Sequence, residues 1–231
     1  TNITTKKARI NWTTDRTSDS KISIGTTSGS YSPSEVGNSD QVTSHSIDLD
    51  NLAAGTTYYY KAKWTDEDGN TGSSQEFSFT TSPAPQLKEV ETLSTTLAGA
   101  TVRFTSREAV KVNIYYGQSE SFGGVKSINT SITESTYSFS LDGLADGTKY
   151  FYKLSSFDSE GNEYEGNIFS FSTPPRPRIS NLRFQPIQGE PTSTQKITWN
   201  TNVPTSSNVT YGKINNAGIE VSDSVLKVDH E

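Results

Sequence analysis

The feature that most constrains this chain is a stretch that it carries twice. Residues 49–70 read LDNLAAGTTYYYKAKWTDEDGN and residues 141–162 read LDGLADGTKYFYKLSSFDSEGN. Leu49 and Leu141, Leu52 and Leu144, Gly55 and Gly147, Tyr58 and Tyr150, Tyr60 and Tyr152, and Gly69 and Gly161 all stand 92 residues apart. Self-similarity at one interval means a tandem array. In the first copy Ile47 and Leu49 alternate with polar neighbours, and Gly55 permits the positive φ of a tight corner. Tyr58, Tyr60, Ala62 and Trp64 then alternate with Tyr59, Lys61 and Lys63. That period of two is the mark of strands with one face in a core.

The same logic extends along the chain. Ala8, Ile10 and Trp12 alternate with Arg9, Asn11 and Thr13 and predict a strand with Trp12 as its buried anchor; Phe104 is its equivalent one interval on. Ile22 and Ile24 end at Gly25 as Ile114 and Tyr116 end at Gly117, predicting a second strand on the opposite sheet. Residues 26–41 read as a loop or edge strand, Asp68-Gly69 as a hairpin turn, and Phe77 and Phe79 as the closing strand. Ser82-Pro83-Ala84-Pro85 and Pro174-Pro175-Arg176-Pro177 are short, semi-rigid spacers, because proline fixes φ. A third copy runs through Ile197 and Trp199 to Tyr211-Gly212, in step with the second at an interval of 95. The expected domains are therefore 1–82, lacking its first strand; 83–174; and 175–231, incomplete at its C-terminal end.

Corner residues Leu52, Gly55, Thr56 and Tyr58, and again Leu144, Gly147, Thr148 and Tyr150, resemble the tyrosine corner of the fibronectin type III family. Within it they are most similar to the bacterial and phosphatase-associated subtype, which includes the amino-terminal domain of purple acid phosphatases. The resemblance implies an all-β fold of tandem Greek-key β-sandwiches in which the phenol oxygens of Tyr58 and Tyr150 bond back to upstream backbone. In those phosphatases the metal ligands belong to a separate catalytic domain, which nothing in this chain matches.

The remaining sequence mostly excludes. Among 231 residues, 26 acidic against 20 basic give a net charge of −6, which opposes binding to nucleic acid. The absence of Cys removes thiolate metal sites and nucleophiles, and there is no hydrophobic run long enough to span a membrane. Thr1 is not Met, which reads as a processed or excised product. The first copy has no room for a leading strand and the third ends before its corner. Ile197, Trp199, Val209 and Tyr211 should therefore be exposed unless the chain continues or another subunit adds strands.

Candidate sites are few. His45 and His230 occupy equivalent repeat positions; each is either a polar residue at a strand mouth or a metal ligand in need of further ligands. The loops Asp66–Asn70 and Asp158–Asn162 could collect Ca²⁺, but their spacing departs from an EF-hand and Asp-Gly is expected in a hairpin anyway. By strand parity Tyr59, Tyr115 and Phe151 face outward, either to stack on a sugar or to stabilise the sheet. Sequons begin at Asn2, Asn11, Asn129 and Asn208. No cofactor and no catalytic residue is expected. Trp12, Phe104, Trp199, Tyr58 and Tyr150 are read as structural.

Two function classes follow. The first is a structural or adhesive repeat region of an extracellular or cell-surface protein, with copies of itself, flanking repeats or glycans as partners. The second is the accessory spacer or carbohydrate-binding region of a secreted hydrolase or phosphatase.

Overall fold

A computed structural model of the chain, described over residues 2–32, 35–191, 193–213 and 216–231, is all-β. Its strands are β1 (Asn2–Ile3), β2 (Ala8–Gly25), β3 (Val36–Leu49), β4 (Thr57–Thr65), β5 (Thr71–Ser73), β6 (Phe77–Thr80), β7 (Gln86–Thr96), β8 (Gly99–Arg107), β9 (Lys111–Gly117), β10 (Gly124–Asn129), β11 (Ser135–Asp142), β12 (Lys149–Phe157), β13 (Glu163–Ser172), β14 (Ile179–Pro186), β15 (Gln195–Lys213) and β16 (Asn216–His230). By proximity the chain forms two compact units, one of Thr1–Glu91, Arg103–Phe139 and Phe151–Phe169, the other of Thr92–Val102, Ser140–Tyr150 and Ser170–Glu231.

In the first repeat a single sheet has the order β1-β2-β4-β5, with β3 on β2 and β6 on β4. Strand β2 serves both layers. Its first part pairs antiparallel with β3, from Ala8↔Leu49 to Thr13↔Ser44, and its last part with β4, from Lys21↔Lys63 to Gly25↔Tyr59. Two separate strands were expected over Ala8–Gly25, but the chain stays extended throughout. Register shifts between Thr13 and Ser20 supply the bend that carries it from one partner to the next. In the second repeat the equivalent stretch is broken. Strands β8 and β9 lie in different sheets, β11-β8-β7 and β10-β9-β12-β13, with Glu108 at φ 59° between them. The expected loop at 26–41 is likewise shorter, since β3 already begins at Val36.

Alternation sets the cores. Ala8, Ile10, Ile22, Ile47, Leu49, Ala62 and Phe79 are buried together, with Trp12, Ile24, Leu52, Tyr58 and Tyr60 packed against them. Trp12 is half-buried, a correction to its role as buried anchor, and the fully enclosed centre is Ile22. Phe104, by contrast, is 0 % exposed and stacks on Phe139 and Tyr137 at 5.5 and 5.8 Å between ring centres.

The third region is one sheet, β14-β15-β16. Of the four side chains expected to be bare, Tyr211 is half exposed, Ile197 and Val209 are half-buried, and Trp199 is buried. The cover on Trp199 is His230, whose ring lies 5.0 Å away and nearly parallel. Phe184, Ile219, Val221 and Leu226 of this sheet are more than half exposed.

Candidate functional site

Three small constructions each occur twice along the chain. The first is the corner. Tyr58 OH accepts a hydrogen bond from Ala53 N (2.8 Å) and Tyr150 OH from Ala145 N (2.9 Å). Gly55 and Gly147 take φ of 61° and 59°, a conformation that side chains disfavour. Each corner is pinned by a buried threonine that the sequence reading missed. Thr81 Oγ1 donates to Ala53 O (2.6 Å) and accepts from Thr56 N (2.9 Å); Thr173 Oγ1 does the same with Ala145 O (2.6 Å) and Thr148 N (3.0 Å). The signal was present, because Thr81 and Thr173 also stand 92 residues apart. The following spacer joins in: Gly55 N donates to Ser82 O (2.9 Å) and Gly147 N to Pro174 O (3.0 Å).

The second construction is a bracketed imidazole. His45, 2 % exposed, stacks on Trp12 at 4.8 Å, with Nε2 2.8 Å from Thr14 Oγ1 and Nδ1 2.8 Å from Ser20 Oγ. His230, 3 % exposed, stacks on Trp199, with Nε2 2.8 Å from Thr201 Oγ1 and Nδ1 2.7 Å from Ser207 Oγ. Burial holds the His45 imidazole below its ordinary range against the opposing charge of Asp19. A serine 2.8 Å from an imidazole has the separation of a nucleophile and its base, but Ser20 and His45 are both enclosed and offer a substrate no face. Among the described residues no group of three His, Cys, Asp or Glu side chains lies close enough to hold a metal ion.

The third is the Asp-Gly-Asn turn. Asp66 Oδ1 accepts from Asp68 N (3.0 Å) and Asn70 N (2.8 Å), and Oδ2 from Asn70 Nδ2 (3.0 Å). Asp158 repeats this with Glu160 N (3.0 Å), Asn162 N (2.9 Å) and Asn162 Nδ2 (2.8 Å), then adds Thr5 Oγ1 and Tyr164 OH. Both turns thus use their carboxylate oxygens on their own amides. Burial works against the Asp158 charge, but its hydrogen bonds, from Thr5 first, hold the carboxyl below its ordinary range. Lys6 Nζ lies 5.2 Å from the Tyr164 ring centre beside it.

The outward aromatics are spread over several strands. Tyr59 is half-buried on β4, while Phe151 is half-buried on β12. Tyr115, also half-buried, accepts from Asn113 Nδ2 (3.1 Å) and donates to Glu163 Oε1 (3.3 Å), and Lys153 Nζ stands 5.6 Å from its ring centre. Asn2, Asn11, Asn129 and Asn208 are all exposed, with Asn208 Nδ2 donating to Glu220 Oε1 at 2.5 Å. One surface clip has no counterpart in the second repeat. Glu76 accepts from Ser28 Oγ (2.6 Å), Tyr31 OH and Gly29 N (2.8 Å), which lowers its pKa to about 2 and raises that of Tyr31 to about 12.

These features define a class: β-sandwich repeats of the fibronectin type III-like kind whose polar groups are turned inward to hold corners and turns. Residues 1–81 match the family described as Purple acid Phosphatase, N-terminal domain, a non-catalytic accessory domain of those enzymes. Among solved structures the chain is similar to the crystal structure of chicken CNTN1 FN1-FN3 domains, at 11% identity and a TM-score of 0.34, covering 100% of this chain and 84% of that one. No curated protein sequence matches the chain.

Proposed function

We propose that this chain is a non-catalytic structural or adhesive repeat region of an extracellular or cell-surface protein, of the filament, stalk, sheath or adhesin kind. The observation that carries this reading is the corner bound to its spacer. Gly55 N and Gly147 N each hold the backbone of the segment that follows, so the proline-rich spacers leave their corners without a flexible step. Such joints suit a protein whose work is to set distance. Exposed sequon asparagines suit a glycan-bearing surface, and copies of the chain, flanking repeats or glycans are its partners under this reading. Brief proteolysis of intact cells of the source tests it. Peptides from residues 1–231 should appear in the supernatant before lysis, and their release only after lysis overturns the reading.

The match of residues 1–81 favours a second reading, in which the repeats are the accessory spacer or carbohydrate-binding part of a secreted hydrolase or phosphatase. Hydrolysis of p-nitrophenyl phosphate by the protein isolated from its native source, co-purifying with this chain in one polypeptide by intact mass, would select this alternative.

A further inference from the structure

The two bracketed histidines are one device built twice, and hydrogen-bond accounting fixes its protonation. Thr14 Oγ1 donates its proton to Arg16 O (2.7 Å), and Thr201 Oγ1 donates to Val203 O (2.8 Å). Each of these oxygens is left as an acceptor toward the ring, so Nε2 of His45 and of His230 carries the ring hydrogen. The other nitrogen, Nδ1, then accepts from Ser20 Oγ in one bracket and Ser207 Oγ in the other. A second ring proton would need Nδ1 to donate, turning each seryl hydrogen away from its only ring partner. Ser20 and Ser207 are 2 % and 5 % exposed, so water offers little replacement.

We propose that the His45 bracket is a proton-operated lock on the hairpin β2–β3: the neutral ring holds the two strands together, and a second ring proton releases them. Position supports this. The lock sits at the register pair Trp12↔His45, as the second bracket sits at Trp199↔His230, and beyond each of them the ladder is interrupted, between Thr13 and Ser18 and between Asn200 and Thr205. The ring stack and the hydroxyls are thus what ties the strands where backbone pairing fails.

The charges around each ring are few. Asp19 on β2 faces His45, but it is paired with Lys21 (2.7 Å) and accepts from Thr65 N on β4 (2.5 Å); Arg16, next to Thr14, is held by Asp68 (2.8 Å). Near His230 the coupled acid is Asp223 on β16, paired with Lys227 (2.8 Å). The second repeat is a built-in control, since Phe104, Ser106, Val112 and Tyr137 occupy the positions of Trp12, Thr14, Ser20 and His45.

The sign follows from linkage for His45, whose folded ring binds its proton less readily than the unfolded one. The lock's contribution is complete above the unfolded value of roughly 6.5 and is lost as pH falls below it.

Because the chain has two histidines, long-range ¹H–¹⁵N spectra resolve both rings directly. At about pH 7.5 His45 should show the neutral Nε2–H tautomer, and at about pH 4.5 amides of β2–β3 should exchange about tenfold faster relative to those of the pair β8 and β11. The combined variant Trp12→Phe, Ser20→Val, His45→Tyr gives the first repeat three of those four residues of the second. It should abolish the acid opening of β2–β3. An Nδ1–H tautomer at His45, equal protection in acid of β2–β3 and of the pair β8 and β11, or an acid opening that survives in the variant would each overturn the proposal. Should the variant not fold, the tautomers and exchange rates of the unmodified chain still decide.

Discussion

The first and second repeats solve the same packing problem with different ring pairs. Trp12 on His45 is half-buried and needs two hydroxyls, Thr14 and Ser20, to satisfy the imidazole. Phe104 on Tyr137 is fully buried at its phenyl end, and the phenol reaches out to accept from Ser131 N (2.9 Å). With no imidazole to serve, Val112 replaces the seryl position, while Ser106 keeps a buried hydroxyl with no hydrogen-bond partner among the described residues. The difference teaches that the hydroxyl of Ser20 goes with the histidine, whereas a hydroxyl at the position of Thr14 is kept without one. It also shows what each solution leaves unsatisfied: Trp12 Nε1 in the first repeat and Ser106 Oγ in the second.

The largest effect expected from this contrast is at the rings. Phe104→Ala should destabilise by about 3–5 kcal/mol, and Trp12→Ala by less because its ring is not fully removed from water. Urea denaturation of the two variants measures this, and equal losses would break the comparison. Next come the corner threonines: Thr81→Val and Thr173→Val each strand the carbonyl and amide that the hydroxyl serves, at about 1–3 kcal/mol. The phenols are subtler. Tyr150→Phe and Tyr58→Phe should each cost about 0.5–1.5 kcal/mol, with Tyr150, the more buried, at the upper end. Thermal melts that rank Tyr58 above Tyr150 would show that burial does not set the strength of that bond. Smallest is Ser106→Ala, expected to be neutral or to stabilise by up to about 1 kcal/mol, since it removes a polar atom that nothing satisfies. Ser20→Ala, its counterpart test, should destabilise.

The repeat interval made much of this legible in advance. Gly55, Tyr58 and their copies could be placed at corners because a positive φ and a period of two leave few alternatives. Trp12 could not be ranked against Phe104, because burial depends on what covers a strand from elsewhere in the chain, and residue type carries no record of that. The hydroxyls around His45 were illegible for a related reason: Thr14 and Ser20 lie 31 and 25 residues from it and meet it only once the long hairpin closes. The serine- and threonine-rich composition hid them further. Asp158 and Thr5 are 153 residues apart, and no local pattern announces their contact.

That last contact bears on how the chain would answer a pull. Thr5 on Asp158 and Lys6 beside Tyr164 join the leading turn of the first repeat to a hairpin of the second, bypassing the spacer at Ser82–Pro85. Tension entering at the leading turn therefore has two parallel routes, one through the covalent backbone and one through this latch. While the latch holds, the stretch between Thr5 and Asp158 stays a closed loop, so a pull at the leading turn meets these contacts before that stretch can be drawn out.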